Sequence, residues 1–268
     1  MTRTAWICQS NPDIDSSTTM LKRACIENGF PFYEIDVIAR SSRLPAMPKV
    51  DGPFVLHGRA TLMLLAAADP FWSKGMFFDK SNFCHSAYCT HYQQRMLNAE
   101  ARVMTWDEFL VHQVVFNGPL FIKPNDDLKY FTGDVQPSDA WCQKFAEWVK
   151  SGSPIRGSSE IIVSHPKEVD AEWRLFFING RVVTGSMYRP SSDAYLPPDA
   201  VAFAEATAKI WEPAPVFVMD VARSDGSWLV VECNCFNGSR FYSSNVEAIV
   251  QAVSEFQETQ YHHGSGFP

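Results

Sequence analysis

The sequence predicts an α+β fold whose first third has α/β character. Short apolar runs alternate with stretches of helical spacing up to about residue 70, a rhythm typical of a small parallel sheet. Further along, two pairs of apolar runs are joined by the turn sequences Asn179-Gly180 and Asp225-Gly226, which indicate antiparallel hairpins. At 268 residues the chain exceeds one usual hydrophobic core and falls short of two full-sized domains, so we expect closely packed subdomains.

The first third is expected to contain both strands and helices. Apolar residues recur at helical spacing from Met20 to Cys25, and Gly29 can close that helix. No G-x-G-x-x-G motif follows any predicted strand, so a dinucleotide-binding site has no support. The predicted strands are 5–9, 31–37 and 54–57, and the predicted helices are 18–28 and 60–68.

The rest of the chain is expected to combine hairpins with helices. Thr105 precedes Glu108 by three residues, which predicts a capping box at the start of a short helix over 105–111. The other predicted strands are 120–123, 160–164, 172–178, 181–188, 216–222 and 228–235. The other predicted helices are 83–97, 139–150, 198–211 and 244–257, followed by a tail from residue 261.

Composition and charge exclude several classes of protein. Hydrophobic residues make up 46% and charged residues 20%, which is ordinary for a globular chain and excludes a disordered one. The net charge of −7 argues against a nucleic-acid partner, because phosphate neutralisation needs a basic surface. The longest apolar stretch, 62–68, is too short to span a bilayer, so no membrane association is expected. Residues 1–10 lack a signal-peptide core and the seven cysteines are scattered, so we expect a cytoplasmic protein with reduced thiols.

Polar residues at the end of the last predicted strand are candidate metal ligands. Glu232 and Asn234 share one face of that strand because side chains alternate with period two. Carboxylate and amide oxygens suit Mg²⁺, a hard cation. Asp220 closes the apolar run of the partner strand, where it is either a solvated strand end or a third ligand. Alone, the Glu232–Asn234 pair is compatible with a purely structural role, and its pairing with Asp220 across a hairpin favours a metal site.

Basic residues in two segments are candidate phosphate partners. Lys123 ends an apolar strand and Lys129 lies in the following loop. An ammonium group is a common phosphate partner, and the alternative is that both lysines face solvent. Arg174 lies in an otherwise apolar strand and therefore needs an anionic partner. That partner is either a phosphate or a structural carboxylate in the core.

Five pieces of the sequence occur in an order that resembles the ATP-grasp superfamily. They are I-K-P with a downstream K-Y-F-T-G, E-I-I-V, E-W-R-L-F-F with N-G, V-M-D-V, and V-V-E-C-N, within residues 120–252. More narrowly, they are similar to the divergent clade of the cell-division-cycle translation-factor assembly proteins and their bacterial and phage relatives. The resemblance implies two α+β subdomains that clasp a nucleotide. It implies a pre-grasp or acceptor subdomain over 1–100 and an ATP-grasp domain over 101–268, with a lid at about 119–165 and a core at about 170–258.

The resemblance also implies ATP and Mg²⁺ as cofactors and a role for each candidate residue. Lys123 and Lys129 would contact the ATP phosphates, and Arg174 would face the γ-phosphate, so that Lys129 and Arg174 are the candidate catalytic cations. Mg²⁺ would be held by Asp220, Glu232 and Asn234. The backbone of a hinge strand would meet adenine through Glu160, Ile161, Ile162 and Val163.

The activity that this resemblance favours is a carboxylate–amine ligase. Such an enzyme transfers the γ-phosphoryl group to a carboxylate, and an amine then attacks the acylphosphate. An ATP-binding assembly module for a partner protein is a second possibility, and a phosphotransferase is a third. The acceptor itself, whether a small molecule, an amino acid, a peptide or a protein, is left open.

The register of the last hairpin provides a geometric test of the metal site. A two-residue turn at Asp225-Gly226 places Asp220 opposite Val231, which turns Glu232 to the wrong face. A single bulge or an odd-length loop places Asp220 opposite Glu232, with Asn234 on the same face. We expect the shifted register, because the alternative buries two unpaired polar side chains.

Overall fold

Three β-sheets form the framework of the residues that the computed structural model describes, 2–10, 16–128 and 130–263. The first sheet is parallel, and the other two are antiparallel. This arrangement of sheets with helices confirms the predicted α+β fold. Among the described residues, no helix is both long and apolar enough to cross a bilayer.

The first sheet is the predicted parallel sheet of the N-terminal third. Its elements are β1 (Ala5–Gln9), α1 (Ser16–Glu27), β2 (Phe32–Ile35), β3 (Phe54–His57) and α2 (Ala60–Ala67). The strand order is β2-β1-β3, and β1 and β3 are buried throughout because apolar groups cover both faces. Trp6 and Val55 pack towards α1 and the C-terminal helix, whereas Ile7 and Leu56 pack towards α2.

The second sheet is antiparallel and has an aromatic core around Trp106 and Trp141. The elements of this part are α3 (His85–Tyr92), β4 (Arg102–Thr105), α4 (Trp106–His112), β5 (Leu120–Pro124), β6 (Asp134–Gln136), α5 (Ser138–Lys150) and β7 (Glu160–Ser164). The strand order is β4-β7-β5-β6. Thr105 and Glu108 form the predicted capping box. β4 and β6 were not predicted, because each is too short to show an apolar pattern. The subdomain boundaries stay a prediction, and β4 joins this sheet although it precedes residue 119.

The third sheet is built from the two predicted hairpins. Its elements are β8 (Ala171–Ile178), β9 (Arg181–Arg189), α6 (Pro198–Ala208), β10 (Val216–Ser224), β11 (Ser227–Cys235) and α7 (Val246–His263). The strand order is β11-β10-β8-β9. Both hairpin turns have positive φ at two successive residues, 48° and 71° at Asn179-Gly180 and 47° and 71° at Asp225-Gly226. This left-handed pair is the two-residue turn that these sequences favour.

Different elements cover the two faces of the third sheet. Val216 and Val218 of β10 pack into a core shared with α7 and the first sheet. Met219 and Cys233 point to the opposite face, where they pack with α3 and α6. Asp220 follows Val218 on the first of these faces, at the position where the strand changes from apolar to polar.

Three helices differ from the sequence prediction by three or more residues at one end. The helix predicted over 83–97 is only α3, because Gln93 has a φ of 50° and a short 3₁₀ turn follows. α6 ends at Ala208, three residues early. α7 begins at Val246 and includes Tyr261–His263, which were predicted as a tail; residues 264–268 lie outside the described residues.

His85, the first residue of α3, is fully buried beside the third sheet. Its Nε2 lies 3.3 Å from the Asn98 carbonyl oxygen and 3.2 Å from Cys89 Sγ. Its Nδ1 has no hydrogen-bond partner among the described residues. Burial, and secondarily the positive charge of Lys123, lowers the pKa of His85 to about 4.

This burial predicts a pH-dependent contribution to stability. The unfolded chain protonates His85 near its ordinary pKa of 6.5, whereas the folded protein keeps it neutral down to about 4. The favourable contribution of neutral His85 to the free energy of unfolding is therefore fully present above pH 6.5 and is lost as the pH falls towards 4. We expect the difference in unfolding free energy between wild type and His85→Gln to shrink between about pH 7.5 and about pH 5, measured by urea unfolding.

The matched control is His112→Gln, which changes an exposed histidine at the end of α4. It should show no comparable loss of the difference between the same two pH values. A cost of His85→Gln that stays constant or grows as the pH falls would show that the folded protein does protonate His85.

Candidate active site

A cleft of about 780 Å³ lies where the three sheets meet. The first sheet contributes Gln9 and His57 to its lining, the second contributes Lys123, and the third contributes Arg174 and Asp220. A concave site with convergent charged groups is where a ligand is expected to bind. The cleft therefore brings residues from three separate parts of the sequence to one place.

One row of paired residues crosses the third sheet and supplies the charged groups of the cleft. Asp220 of β10 lies opposite Arg174 of β8 on one side and opposite Glu232 of β11 on the other. Directly paired residues of antiparallel strands share a face. Arg174, Asp220 and Glu232 therefore project from the same face, and all three line the cleft.

The register that aligns Asp220 with Glu232 depends on a β-bulge. The turn at Asp225-Gly226 has two residues, so that Ser224 pairs with Ser227, as the local sequence predicts. The pairing then shifts between Asp220 and Val221, because Val230 pairs with Val221 and Glu232 pairs with Asp220. Val231 is the additional residue. The predicted shifted register is confirmed, and the bulge reconciles it with the two-residue turn.

Arg174 and Asp220 form a buried, doubly hydrogen-bonded ion pair. Nε and Nη2 of Arg174 donate to the two carboxylate oxygens of Asp220 at 2.8 and 2.7 Å. Burial acts to lower the pKa of Arg174, but the Asp220 charge outweighs it and raises the pKa above its ordinary value. The sequence left open whether the partner of Arg174 is a phosphate or a carboxylate. The structure pairs Arg174 with the carboxylate of Asp220, which is itself a predicted metal ligand.

Asn234 lies next to this pair on the same face of β11. Its Nδ2 donates to Asp220 Oδ2 at 3.1 Å, and the residue is buried. Asn234 does not itself line the cleft, although Asp220 and Glu232 do. The three predicted metal ligands are therefore neighbours, and two of them line the cleft.

Lys123 and Glu232 form a second ion pair, which joins the second sheet to the third. Nζ of Lys123, on β5, contacts Oε2 of Glu232, on β11. The side chains are 13% and 26% exposed, so solvent screens the pair less than it would on the surface. Each predicted cation described in the cleft is thus paired with a predicted metal ligand.

Two tyrosines that the sequence analysis did not single out as site residues also border the cleft. The rings of Tyr188 and Tyr242 stack with centroids 5.0 Å apart, and the Arg174 guanidinium lies 5.6 and 5.1 Å from them. Burial, followed by the Asp220 and Glu172 charges, raises the pKa of Tyr188 well above its ordinary value. Tyr242 has a φ of 49°, an unusual conformation for a large residue that no local sequence pattern reveals.

The loop after β5 adds acidic and amide groups that were also not predicted. Asp127 lines the cleft and accepts a hydrogen bond from the Cys235 amide at 2.8 Å. Asn125 lines the cleft as well, and its Nδ2 donates to the Glu160 carboxylate at 2.9 Å. These bonds hold the loop against β11 and β7. Lys129, which lies in the same loop, is outside the described residues.

No residue of β7 lines the cleft. Ile161, Ile162 and Val163 are buried and pair with β4 on one side and β5 on the other. The Glu160 carbonyl accepts the Asn125 amide at 3.1 Å. The expected backbone contact between these four residues and adenine stays a prediction, and a central strand already uses its amides and carbonyls within the sheet.

The oxygen donors of the row suit a divalent cation that also binds a phosphate ligand. Among the described residues, no group of three or more His, Cys, Asp or Glu side chains is placed to hold a metal ion. Asp220 and Glu232 supply two carboxylates, and Asn234 adds one amide oxygen. Mg²⁺ characteristically takes one or two carboxylates together with substrate phosphates, so this donor set fits Mg²⁺ in the presence of a nucleotide.

Comparisons with solved structures identify the fold. A RimK domain ATP-grasp protein from Sphaerobacter thermophilus aligns with a TM-score of 0.57 at 13% identity, covering 94% of this chain and 95% of that one. D-alanine–D-alanine ligase from Bacillus anthracis, complexed with ATP, gives 0.53 at 15% identity, with full coverage of both chains. The ATP-grasp ligase PsnB, complexed with precursor peptide PsnA2 and AMPPNP, gives 0.55 at 12% identity, covering 96% and 98%.

The family comparison matches a large part of the sequence. Residues 77–253, about two thirds of the chain, match the family described as ATP-grasp domain, R-2-K clade family 3. None of the curated proteins matches the sequence significantly. The resemblance to the ATP-grasp superfamily is confirmed, while the narrower resemblance to the cell-division-cycle assembly proteins stays a prediction. The chain belongs to family 3 of this clade of ATP-grasp domains.

Proposed function

We propose that the chain is an ATP- and Mg²⁺-dependent ligase that activates a carboxylate as an acylphosphate for attack by an amine. The observation that carries the proposal is the row of Arg174, Asp220 and Glu232 in one cleft, facing Lys123 from another sheet. This set combines the cations that phosphates need with the oxygen donors that Mg²⁺ needs. Solved neighbours in complex with ATP, or with AMPPNP and a precursor peptide, support the same chemistry.

The two ion pairs of the cleft suggest how one Mg²⁺–nucleotide complex could be bound by both cations and both carboxylates. Lys123 and Arg174 each hold a carboxylate that is a candidate metal ligand. A Mg²⁺–nucleotide complex carries both signs of charge, so its phosphates can interact with the cations while its metal takes the carboxylates. Lys129, on the basis of the sequence, is still predicted to make a further contact with the phosphates.

Each group then has a role in phosphoryl transfer. Lys123 would bind phosphate oxygens, and the buried Arg174, fixed by Asp220 and flanked by the tyrosines, would orient the γ-phosphate. Glu232, Asn234 and Asp220 would hold Mg²⁺, which supplies neutralisation of charge on the phosphates when bound. These groups bind and orient the nucleotide without a covalent bond to the protein.

The reaction itself requires no protein nucleophile. An acceptor carboxylate oxygen attacks the γ-phosphorus, the bond from phosphorus to the bridging oxygen breaks, and ADP leaves. The amine nitrogen then attacks the acyl carbon, and inorganic phosphate leaves as the amide forms. The amine gives up its protons to solvent or phosphate, so that ATP, carboxylate and amine become amide, ADP and phosphate.

Replacing Lys123 tests the nucleotide site. Lys123→Ala removes one charged hydrogen-bond partner of the phosphates, so we expect binding of Mg²⁺–AMPPNP to weaken by about 1.5–3 kcal/mol. Isothermal titration calorimetry measures this change. The control is Lys144→Ala, which removes a partly exposed lysine on α5 that is paired with Asp134 and does not line the cleft, so it should leave the affinity unchanged. Equal affinities of the Lys123→Ala variant and wild type would remove Lys123 from the site.

Trapping the acylphosphate tests the reaction. With Mg²⁺–ATP, hydroxylamine as the amine and a panel of amino acids and peptides, we expect hydroxamate, ADP and phosphate in equal amounts. Mass spectrometry identifies the hydroxamate. Slow ATP turnover that ignores every added acid, or none at all, would favour the assembly module. A stable phosphorylated acceptor without released phosphate would favour a phosphotransferase.

A further inference from the structure

One wall of the cleft is formed by the first sheet and the segment after β11, and it is rich in basic groups. It contains Arg59, at the start of α2, and Arg240, five residues after the end of β11. Among the described residues of this wall, the lining includes no Asp or Glu. The other side of the cleft contains several carboxylates: Asp126, Asp127, Asp220 and Glu232. Counted over the described lining residues, the two sides of the cleft therefore differ in charge, within a chain of net charge −7.

The two segments that carry these arginines are fastened to each other. The Gly58 amide donates to the Asn237 carbonyl at 2.7 Å, and His57 Nε2 lies 3.0 Å from the Ser239 carbonyl. The Asn237 side chain is buried and donates to the Leu56 carbonyl at 2.6 Å. Arg59 and Arg240 thus extend from adjoining, hydrogen-bonded segments rather than from two independent loops.

Close packing of glycines keeps these segments in contact. A Cβ atom on Gly238 would lie 3.2 Å from the Gly58 carbonyl oxygen and 2.7 Å from Met63 Sδ. A Cβ atom on Gly58 would lie 2.9 Å from Gln9 Oε1, which accepts the Arg59 amide at 2.9 Å. The backbones that carry the two arginines are therefore held in a fixed relation.

This wall adjoins the proposed phosphoryl-transfer site. The carbonyl oxygen of Arg240 lies 3.4 Å from Nη1 of Arg174, the residue that we place at the γ-phosphate. The Arg59 side chain is exposed, and its guanidinium makes no hydrogen bond or ion pair within the described ranges 2–10, 16–128 and 130–263. Both arginines line the same cleft as Arg174, so a ligand seated on the wall lies beside the phosphate end of the cleft.

The chemistry of the ligase step indicates which group the wall would hold. A guanidinium that grips both oxygens of a carboxylate engages their lone pairs, so it lowers the reactivity of that carboxylate as a nucleophile. A bidentate guanidinium contact would therefore slow the attack of the reacting carboxylate on the γ-phosphorus. Binding energy from a non-reacting part of a substrate is instead available to position the reacting part.

We infer that Arg59 and Arg240 form an acceptor subsite for a second, non-reacting carboxylate, so that the acceptor is a dicarboxylic acid or a peptide with an acidic residue and a free C-terminus. This inference rests on the proposed ligase function and specifies its substrate class. The first carboxylate is activated beside Arg174. The second is held on the wall formed by the first sheet, which gives the N-terminal third a defined role.

Matched acceptors test the subsite. Glutamate is compared with glutamine, and a peptide that ends in glutamate is compared with the same peptide as its C-terminal amide. In the hydroxylamine assay, we expect each dicarboxylate to have a KM at least about tenfold below that of its monocarboxylate counterpart. If only glutamate is active, the acceptor is a free dicarboxylic acid. If only the peptide is active, the acceptor is a chain terminus.

Matched variants test the residues. Arg59→Gln and Arg240→Gln should each raise the KM for the dicarboxylate by about tenfold or more, change kcat less, and leave Mg²⁺–AMPPNP affinity unchanged. The control is Arg43→Gln, an exposed arginine of the same third of the chain that does not line the cleft. Equal KM values for the paired acids, or for wild type and Arg59→Gln, would overturn the subsite while leaving the ligase intact.

A binding measurement separates this inference from the ligase proposal. Glutamate and the free-acid peptide are titrated calorimetrically into the protein with Mg²⁺–AMPPNP. Binding that weakens about tenfold in Arg59→Gln supports the subsite even if no acid yields a hydroxamate, an outcome that contradicts only the ligase reaction. Absence of binding by both dicarboxylates would overturn the subsite whatever the catalytic result.

Discussion

The buried ion pair between Arg174 and Asp220 is the interaction on which the rest of the site depends. It joins the two central strands of the third sheet and is doubly hydrogen-bonded. Removing one partner of such a pair costs about 3–5 kcal/mol, because the other charge is left buried and uncompensated. The pair therefore fixes the direction of the guanidinium, and both tyrosine rings and the Asn234 amide are arranged around it.

The change from apolar to polar residues along β10 determines where the cleft begins. Val216 and Val218 pack against α7 and the first sheet. Asp220, on the same face, lies where the cleft begins. The bulge at Val231 brings Glu232 into the same row. One extra residue in an edge strand thus decides whether two carboxylates meet or point to opposite faces.

Local patterns predicted both hairpins and every strand except the short β4 and β6, whereas contacts between distant parts of the chain could not be predicted. Period-two alternation placed Glu232 and Asn234 on one face, and the Asn-Gly and Asp-Gly turns located the hairpins. The pairing of Lys123 with Glu232 and the positive wall around Arg59 depend on how the sheets pack, which no window of sequence encodes. β7 was predicted as a strand, but its central place between β4 and β5 required the structure.

The most direct measurement of the central claim is a crystal structure with AMPPNP and Mn²⁺, whose anomalous signal locates the metal in place of Mg²⁺. We expect the nucleotide phosphates to lie in the cleft with Lys123 and Arg174 as partners. We expect the anomalous peak to place the metal at the Glu232 carboxylate, on the face shared with Asp220. A nucleotide bound outside the cleft, or a metal held without Glu232, would show that this row of residues is not the nucleotide site.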